Sequence, residues 1–163
     1  MIKLNSTKMK IILLKKIYIP FCLKFDEVFA RKIFYKKIFK NFNLLEEDVF
    51  GASDYREADH LASCNSELII EKLISNHRIR FLGVWGGKIF SKNFLAQSIT
   101  RQTHKILISF EYAKKVIKEN NIKGIVYIWP ENFSWSLYKS MRKMKLLPDE
   151  IRIYPLAIIY LIF

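Results

Sequence analysis

Hydrophobic residues between Ile99 and Ile117 recur at alternating steps of four and three, with Thr103 filling one of the positions. Residues at these steps share one face of an α-helix, and most of the residues between them are charged or polar. Ser91 can cap the start of this helix, and Asn120 to Gly124 suit the left-handed backbone that ends one. The pattern therefore predicts a long amphipathic helix.

A continuous apolar run from Ile125 to Trp129 follows and is closed by Pro130. A short run of β-favouring residues without alternation is typical of a strand buried on both faces, as in a parallel sheet between helices. Asn132 or Ser134 can then cap a second helix, which carries Trp135. The order helix, strand, helix predicts a three-layer, Rossmann-like α/β domain with a short, mostly parallel sheet.

Residues 1–45 are predicted to form a basic N-terminal segment with a strand and a helix, and residues 46–163 the α/β domain. Within the first segment, residues 24–42 mix phenylalanine and isoleucine with lysine and arginine at spacings that favour an amphipathic helix. Such a helix can lie on an anionic membrane surface, or it can pack on a core with its lysines in water. The sequence leaves both interpretations open.

The acidic block between Leu44 and Glu71 is predicted to continue as a helix. Asp54, Glu57 and His60 follow one another at steps of three and would share one face of it. Three such groups can bind a divalent cation or exchange protons. They can equally form a charged face in contact with water.

Two further strands are predicted, at Arg78 to Trp85 and at Ile151 to Tyr154. The first is followed by Gly86-Gly87-Lys88, which can cradle a phosphate with Lys88 as the binding residue, or form a plain turn. It is not a P-loop, because Leu82 stands where that motif needs its first glycine and Ile89 replaces the required Ser or Thr.

The net charge of +13 is unevenly distributed along the chain. Residues 1–45 hold 11 basic and two acidic groups, residues 46–71 one and eight, and residues 72–163 16 and five. Basic faces attract nucleic acid, anionic lipid head groups or phosphorylated substrates. A composition rich in Lys, Ile, Asn and Phe also arises from an AT-rich coding sequence without any such ligand.

Cys22, Cys64 and three histidines are too few and too scattered for a disulfide framework or a metal-ligand cluster. No metal is therefore expected, and a reducing, cytoplasmic compartment is the default. Lys15-Lys16 interrupts the N-terminal apolar runs, which argues against a secretory signal. No stretch reaches the roughly 20 apolar residues that a transmembrane helix requires.

The loop from Trp129 to Trp135 is the candidate site, because ligands of α/β sheets gather at the carboxyl ends of strands. Rings at Trp129, Trp135 and Tyr138 can stack on a sugar, while Asn132 can bind its hydroxyl groups. Glu131 can act as the general base for an acceptor hydroxyl. In the alternative interpretation, the two tryptophans belong to the core and Glu131-Asn132 only begins a helix.

Three stretches together carry a resemblance to a known family: Asp54 to Asp59, the helix that ends in Ala113 to Asn120, and the run from Gly124 to Asn132. In layout they resemble the N-terminal half of bacterial surface-polysaccharide glycosyltransferases with the two-domain GT-B architecture. The similarity covers about residues 45–155. It implies that this domain holds a glycan or lipid-phosphate acceptor, while a second Rossmann-like domain binds a nucleotide sugar.

The chain has no room for that second domain, so the resemblance implies the acceptor-side half of a larger enzyme, with an incomplete sheet. Such a half would hold no cofactor itself and would be inactive in isolation. It would act in the cytoplasm, as a peripheral protein on the inner face of the membrane. Two alternatives remain: a small basic α/β protein that binds nucleic acid, and an α/β domain with an unrelated activity or none.

Overall fold

The computed structural model describes residues 8–17, 22–33, 35, 40–46, 52–74, 92–129 and 134–155. Within these residues the chain forms five strands and three helices. In chain order they are β1 (Lys10–Leu13), β2 (Glu27–Arg31), β3 (Phe42–Leu45), α1 (Ala52–Ile74), α2 (Lys92–Glu119), β4 (Val126–Trp129), α3 (Trp135–Lys143) and β5 (Ile151–Ile153).

The five strands form one sheet in the order β3-β2-β1-β4-β5, and every neighbouring pair is parallel. β1 lies at the centre and pairs with β2 on one side and with β4 on the other. This order is that of an open, doubly wound sheet. The predicted Rossmann-like α/β fold is confirmed, and the sheet predicted to be mostly parallel is wholly parallel in the described chain.

The central strands are buried because both of their faces are apolar. Ile11, Ile12 and Leu13 of β1 have no exposed surface, and Val126 and Ile128 of β4 have none either. Continuous apolar runs are what a parallel sheet covered on both faces requires. The predicted strand at 125–129 is therefore confirmed as β4, with Ile125 left exposed just before it.

The helix predicted at residues 24–42 is wrong. Glu27 to Arg31 form β2, and Phe42 begins β3. Val28, Phe29 and Ala30 are buried, and their strand pairs with β1 on one side and β3 on the other. Three adjacent apolar residues are compatible with a helix or with a buried strand, and here the pairing with two strands decides for the strand. The interpretation of this segment as a membrane-surface helix therefore loses its structural basis.

The helices predicted in the acidic block and from Ile99 onward are confirmed as α1 and α2. Thr103, Ile106, Phe110 and Ala113 are buried, as their spacing predicts. None of the helices in the described part of the chain is long and apolar enough to cross a membrane.

Two of the predicted helix ends form, whereas Ser91, the predicted start of α2, lies outside the described residues. Beyond α2, Asn121 and Gly124 have φ of 49° and 89°. At the start of α3, the Ser134 hydroxyl accepts a hydrogen bond from the Leu137 N–H at 3.4 Å, so Ser134 is the N-cap. β5 confirms the last predicted strand.

The chain divides into two compact units. The sheet unit comprises Met1–Phe50, Tyr112–Asn132 and Pro148–Phe163, and it contains all five strands and the last turns of α2. The helical unit comprises Gly51–Glu111 and Phe133–Leu147, and it contains α1, α3 and the rest of α2. The sheet combines β1 to β3, from the predicted N-terminal segment of residues 1–45, with β4 and β5, from the predicted domain of residues 46–163.

Candidate functional site

The carboxyl ends of β1 and β4 meet at the point where the strand order of the sheet reverses. β1 and β4 pair in register, with Leu13 opposite Trp129, and the Leu14 N–H donates to the Trp129 carbonyl at 3.2 Å. In open α/β sheets the crevice outside such a switch point is where ligands bind. The structure thus places the segment after β1 beside the end of β4, from which the predicted site loop departs.

Trp129 is buried in an aromatic cluster of the sheet unit. Only 5% of its surface is exposed, and its ring stacks on Tyr154 at a centroid distance of 6.3 Å. Tyr127 and Phe25 meet the same Tyr154 ring edge-on, at 5.6 Å and 4.9 Å. Trp129 therefore packs as a core residue in the described chain, and little of its ring is open to a sugar.

Trp135 and Tyr138 lie together on α3 in the helical unit, with ring centroids 5.0 Å apart. Tyr138 is buried and contacts Phe110, whereas Trp135 is half-buried. The Lys139 ammonium lies 5.6 Å from the centre of the Trp135 ring, within the range of a cation–π contact. Part of the Trp135 side chain is thus exposed, although two neighbours contact its ring.

The remaining predicted site residues, Lys88, Glu131 and Asn132, lie outside the described residues, as does the Gly86-Gly87-Lys88 turn. Their roles stay predictions. Among the described members, the contacts join Trp135 to Tyr138 in one unit and Trp129 to Tyr154 in the other.

Lys15 and Lys16 lie at the switch point and are a feature that the sequence-based site prediction missed. They follow β1 directly, with Lys15 half-buried and Lys16 exposed. The available signal was a pair of lysines immediately after an apolar run of strand length. The pair indicates a binding site only if β1 is a central strand next to β4, and no local sequence pattern specifies that position.

The segment that carries these lysines is held by Tyr35. The Tyr35 hydroxyl accepts a hydrogen bond from the Ile17 N–H at 2.6 Å and donates one to the Ile17 carbonyl at 2.9 Å. Burial raises the pKa of Tyr35 above its usual value of 10.0, while the bond from Ile17 opposes part of that rise. The hydroxyl therefore keeps its proton, which the bond to the Ile17 carbonyl requires.

Two more basic residues end β2 at the same edge, but both are engaged. Arg31 lies over the Tyr112 ring, 5.0 Å from its centre. Lys32 forms an ion pair with Glu46 beyond β3, at 3.5 Å. The edge of the sheet at the carboxyl ends of β1 and β2 is therefore basic. Of the three described lysines there, Lys15, Lys16 and Lys32, only Lys32 is paired with a carboxylate.

The Asp54, Glu57 and His60 face stays a prediction, because the Asp54 side chain lies outside the described residues. Glu57 and His60 are exposed, and the His60 Nε2 lies 4.0 Å from the Cys64 sulfur. A separate contact joins Asp59 of α1 to His104 of α2. Within the described part of the chain, no group of three or more His, Cys, Asp and Glu side chains is arranged to hold a metal ion.

Comparison with known proteins gives no relative for this chain: no family model, no curated protein and no solved structure matches it.

Proposed function

We propose that the chain is a glycosyltransferase-like domain of cell-envelope polysaccharide biosynthesis, which binds a sugar or lipid-phosphate acceptor in the cytoplasm at the inner face of the membrane. The observation that carries the proposal is the position of β4. It is a central strand at the switch point, so the loop that leaves it toward Glu131 and Asn132 begins where α/β sheets bind their ligands.

The half-exposed Trp135 ring supports the glycan part of this proposal. Sugars present C–H faces that stack on aromatic rings, and their hydroxyl groups need amide and carboxylate partners close by. Trp135 follows Asn132 by three residues in the sequence, and it starts a helix whose first turn is fixed by the Ser134 cap. Packing on Tyr138 holds the ring in place before a ligand arrives.

The test is binding of the purified chain to an array of bacterial surface glycans. The wild-type chain is expected to retain a subset of them. Trp135→Ala is expected to weaken retention at least about tenfold, the effect of losing about 1.4 kcal/mol of stacking and burial. Glu131→Ala is expected to weaken binding of acceptors that present a free hydroxyl group. Ser136→Ala, an exposed position next to Trp135, is the matched control and keeps wild-type binding.

Absence of glycan binding by the folded wild-type chain would contradict the proposal. In that case a single-stranded oligonucleotide is titrated at low and high salt. Affinity that falls steeply with salt would favour a basic nucleic-acid-binding protein instead.

A further inference from the structure

From the structure we infer that the Lys15–Lys16 segment binds a phosphate ester, the anionic group of an acceptor lipid or of a nucleotide. This inference rests on the proposed function and identifies the chemical group that the switch point recognises. It uses residues of the sheet unit alone, and none of them belongs to the aromatic site on α3.

The first argument is the fixed position of the segment. On one side of Lys15, the Leu14 N–H bonds to the carbonyl of Trp129 in β4. On the other side of Lys16, both backbone groups of Ile17 bond to the buried Tyr35 hydroxyl. The two lysines thus lie between two anchored residues, which lowers the entropy cost of holding their backbone around a ligand.

The second argument is the unsatisfied positive charge. Among the described residues, neither the side chains nor the backbone amides of Lys15 and Lys16 have an ion-pair or hydrogen-bond partner. This contrasts with Lys32, which directly follows the neighbouring strand β2 and is paired with Glu46. Two ammonium groups and two N–H groups that have no partner among the described residues supply the donors that a phosphate group accepts.

The third argument is the location. β1 and its neighbour β4 are about 4.8 Å apart, so a phosphate held by the segment after β1 lies close to the end of β4. The location thus puts recognition of the anion at the switch point of the sheet.

Calorimetric titration tests this inference with three probes: an isoprenoid phosphate in phosphatidylcholine vesicles, uridine diphosphate and inorganic phosphate. The test variant is Lys15→Gln combined with Lys16→Gln. The control combines Lys40→Gln with Lys123→Gln, which removes the same charge from exposed lysines at the opposite, amino edge of the sheet. We expect the test variant to bind the preferred probe at least about tenfold more weakly, and the control to bind like the wild type.

If the chain binds only the vesicles that contain the isoprenoid phosphate, the ligand is a lipid phosphate. If it binds uridine diphosphate, the ligand is a nucleotide. Either result supports the site. Equal weakening in both double variants, or no binding of any probe by the wild type, overturns it. Phosphate binding that depends on Lys15 and Lys16 in a chain that retains no glycan would leave this site standing and remove the glycan proposal.

A Tyr35→Phe variant tests the anchoring separately from the charge. It removes only the hydroxyl that holds Ile17, and we expect at least about threefold weaker binding of the preferred probe with both lysines present. A cooperative thermal transition is the control for folding. Wild-type affinity in a folded Tyr35→Phe chain would overturn the role of the anchored segment.

Discussion

At the residue scale, the two cysteines have opposite environments. Cys22 is fully buried in the sheet unit, and burial raises the pKa of its thiol from 9.0 to about 11, against the smaller lowering effect of a backbone hydrogen bond. Cys64 is exposed on α1. Because the thiolate is the reactive form, reactivity depends on both access and pKa.

We predict that a thiol reagent labels one cysteine of the native chain rapidly at about pH 8, and that this cysteine is Cys64. Cys22 is expected to react at least about 100-fold more slowly in the native chain than in denaturant, because burial blocks access and raises the pKa of its thiol from 9.0 to about 11. Mass-resolved labelling of Cys64→Ser and Cys22→Ser chains assigns each rate, and denaturant serves as the control that equalises them. Rapid native labelling of the Cys64→Ser chain would contradict the burial of Cys22.

Burial also distinguishes the two tryptophans of the candidate site, Trp129 and Trp135. A tryptophan beside a proline after a strand suits both a sugar platform and a core residue, and the sequence pattern is the same in the two cases. The packing of Trp129 against Tyr154 places its ring in the core. Trp135 remains half-exposed and carries the stacking proposal.

At the element scale, the end of α2 shows how local sequence sets a boundary. The Ile122 N–H bonds to the Ile117 carbonyl at 3.0 Å, and Asn121 takes the left-handed conformation that ends the helix. Gly124 then turns the chain into β4 with φ of 89°, a backbone conformation that side chains with a Cβ rarely adopt. Its surroundings leave room for a Cβ, so the constraint is conformational.

We predict that Gly124→Ala lowers the free energy of unfolding by about 1–3 kcal/mol, because alanine must adopt a strained backbone there. Asn121→Gly is the matched control in the same turn. It is expected to change stability by less than about 0.5 kcal/mol, since glycine adopts a φ of 49° without strain. Urea unfolding followed by circular dichroism measures both variants. Equal stability of Gly124→Ala and the wild type would show that this turn tolerates a side chain.

At the scale of the whole molecule, β1 organises the sheet unit. It lies between β2 and β4, and its three apolar residues, Ile11 to Leu13, are fully buried. Lys10 of β1 pairs with Val126 of β4, so a strand near the start of the chain pairs with one more than 100 residues later. The stability of the sheet unit therefore depends on this one strand.

We predict that Ile12→Asp abolishes the cooperative unfolding transition. A carboxylate at a position with no exposed surface costs several kcal/mol, a large part of the roughly 5–15 kcal/mol that stabilises a typical domain. Ile33→Asp is the control, because Ile33 is 66% exposed and the same change there should cost less than about 0.5 kcal/mol. Urea unfolding and size-exclusion chromatography provide the measurement. A wild-type midpoint for Ile12→Asp would contradict the central position of β1.

The elements that depend on neighbouring residues can be predicted from the sequence. The spacing along α2, the Asn121 and Gly124 helix end and the apolar run of β4 each specify local structure, because helix faces and ends arise within a few residues of chain. For the cap of α3 the sequence left Asn132 and Ser134 as alternatives, and the structure shows Ser134. The Rossmann-like fold class followed from the order of these elements.

The order of the strands in the sheet, and the residues that they bury, depend on contacts between distant parts of the chain. Residues 27–31 became a strand because β1 and β3 pair with them on either side, an interaction that helical spacing cannot reveal. The pairing of β1 with β4 brought Lys15 and Lys16 to the switch point. Contacts between residues distant in sequence provide this information, because pairing energy and burial depend on partners that a local pattern does not contain.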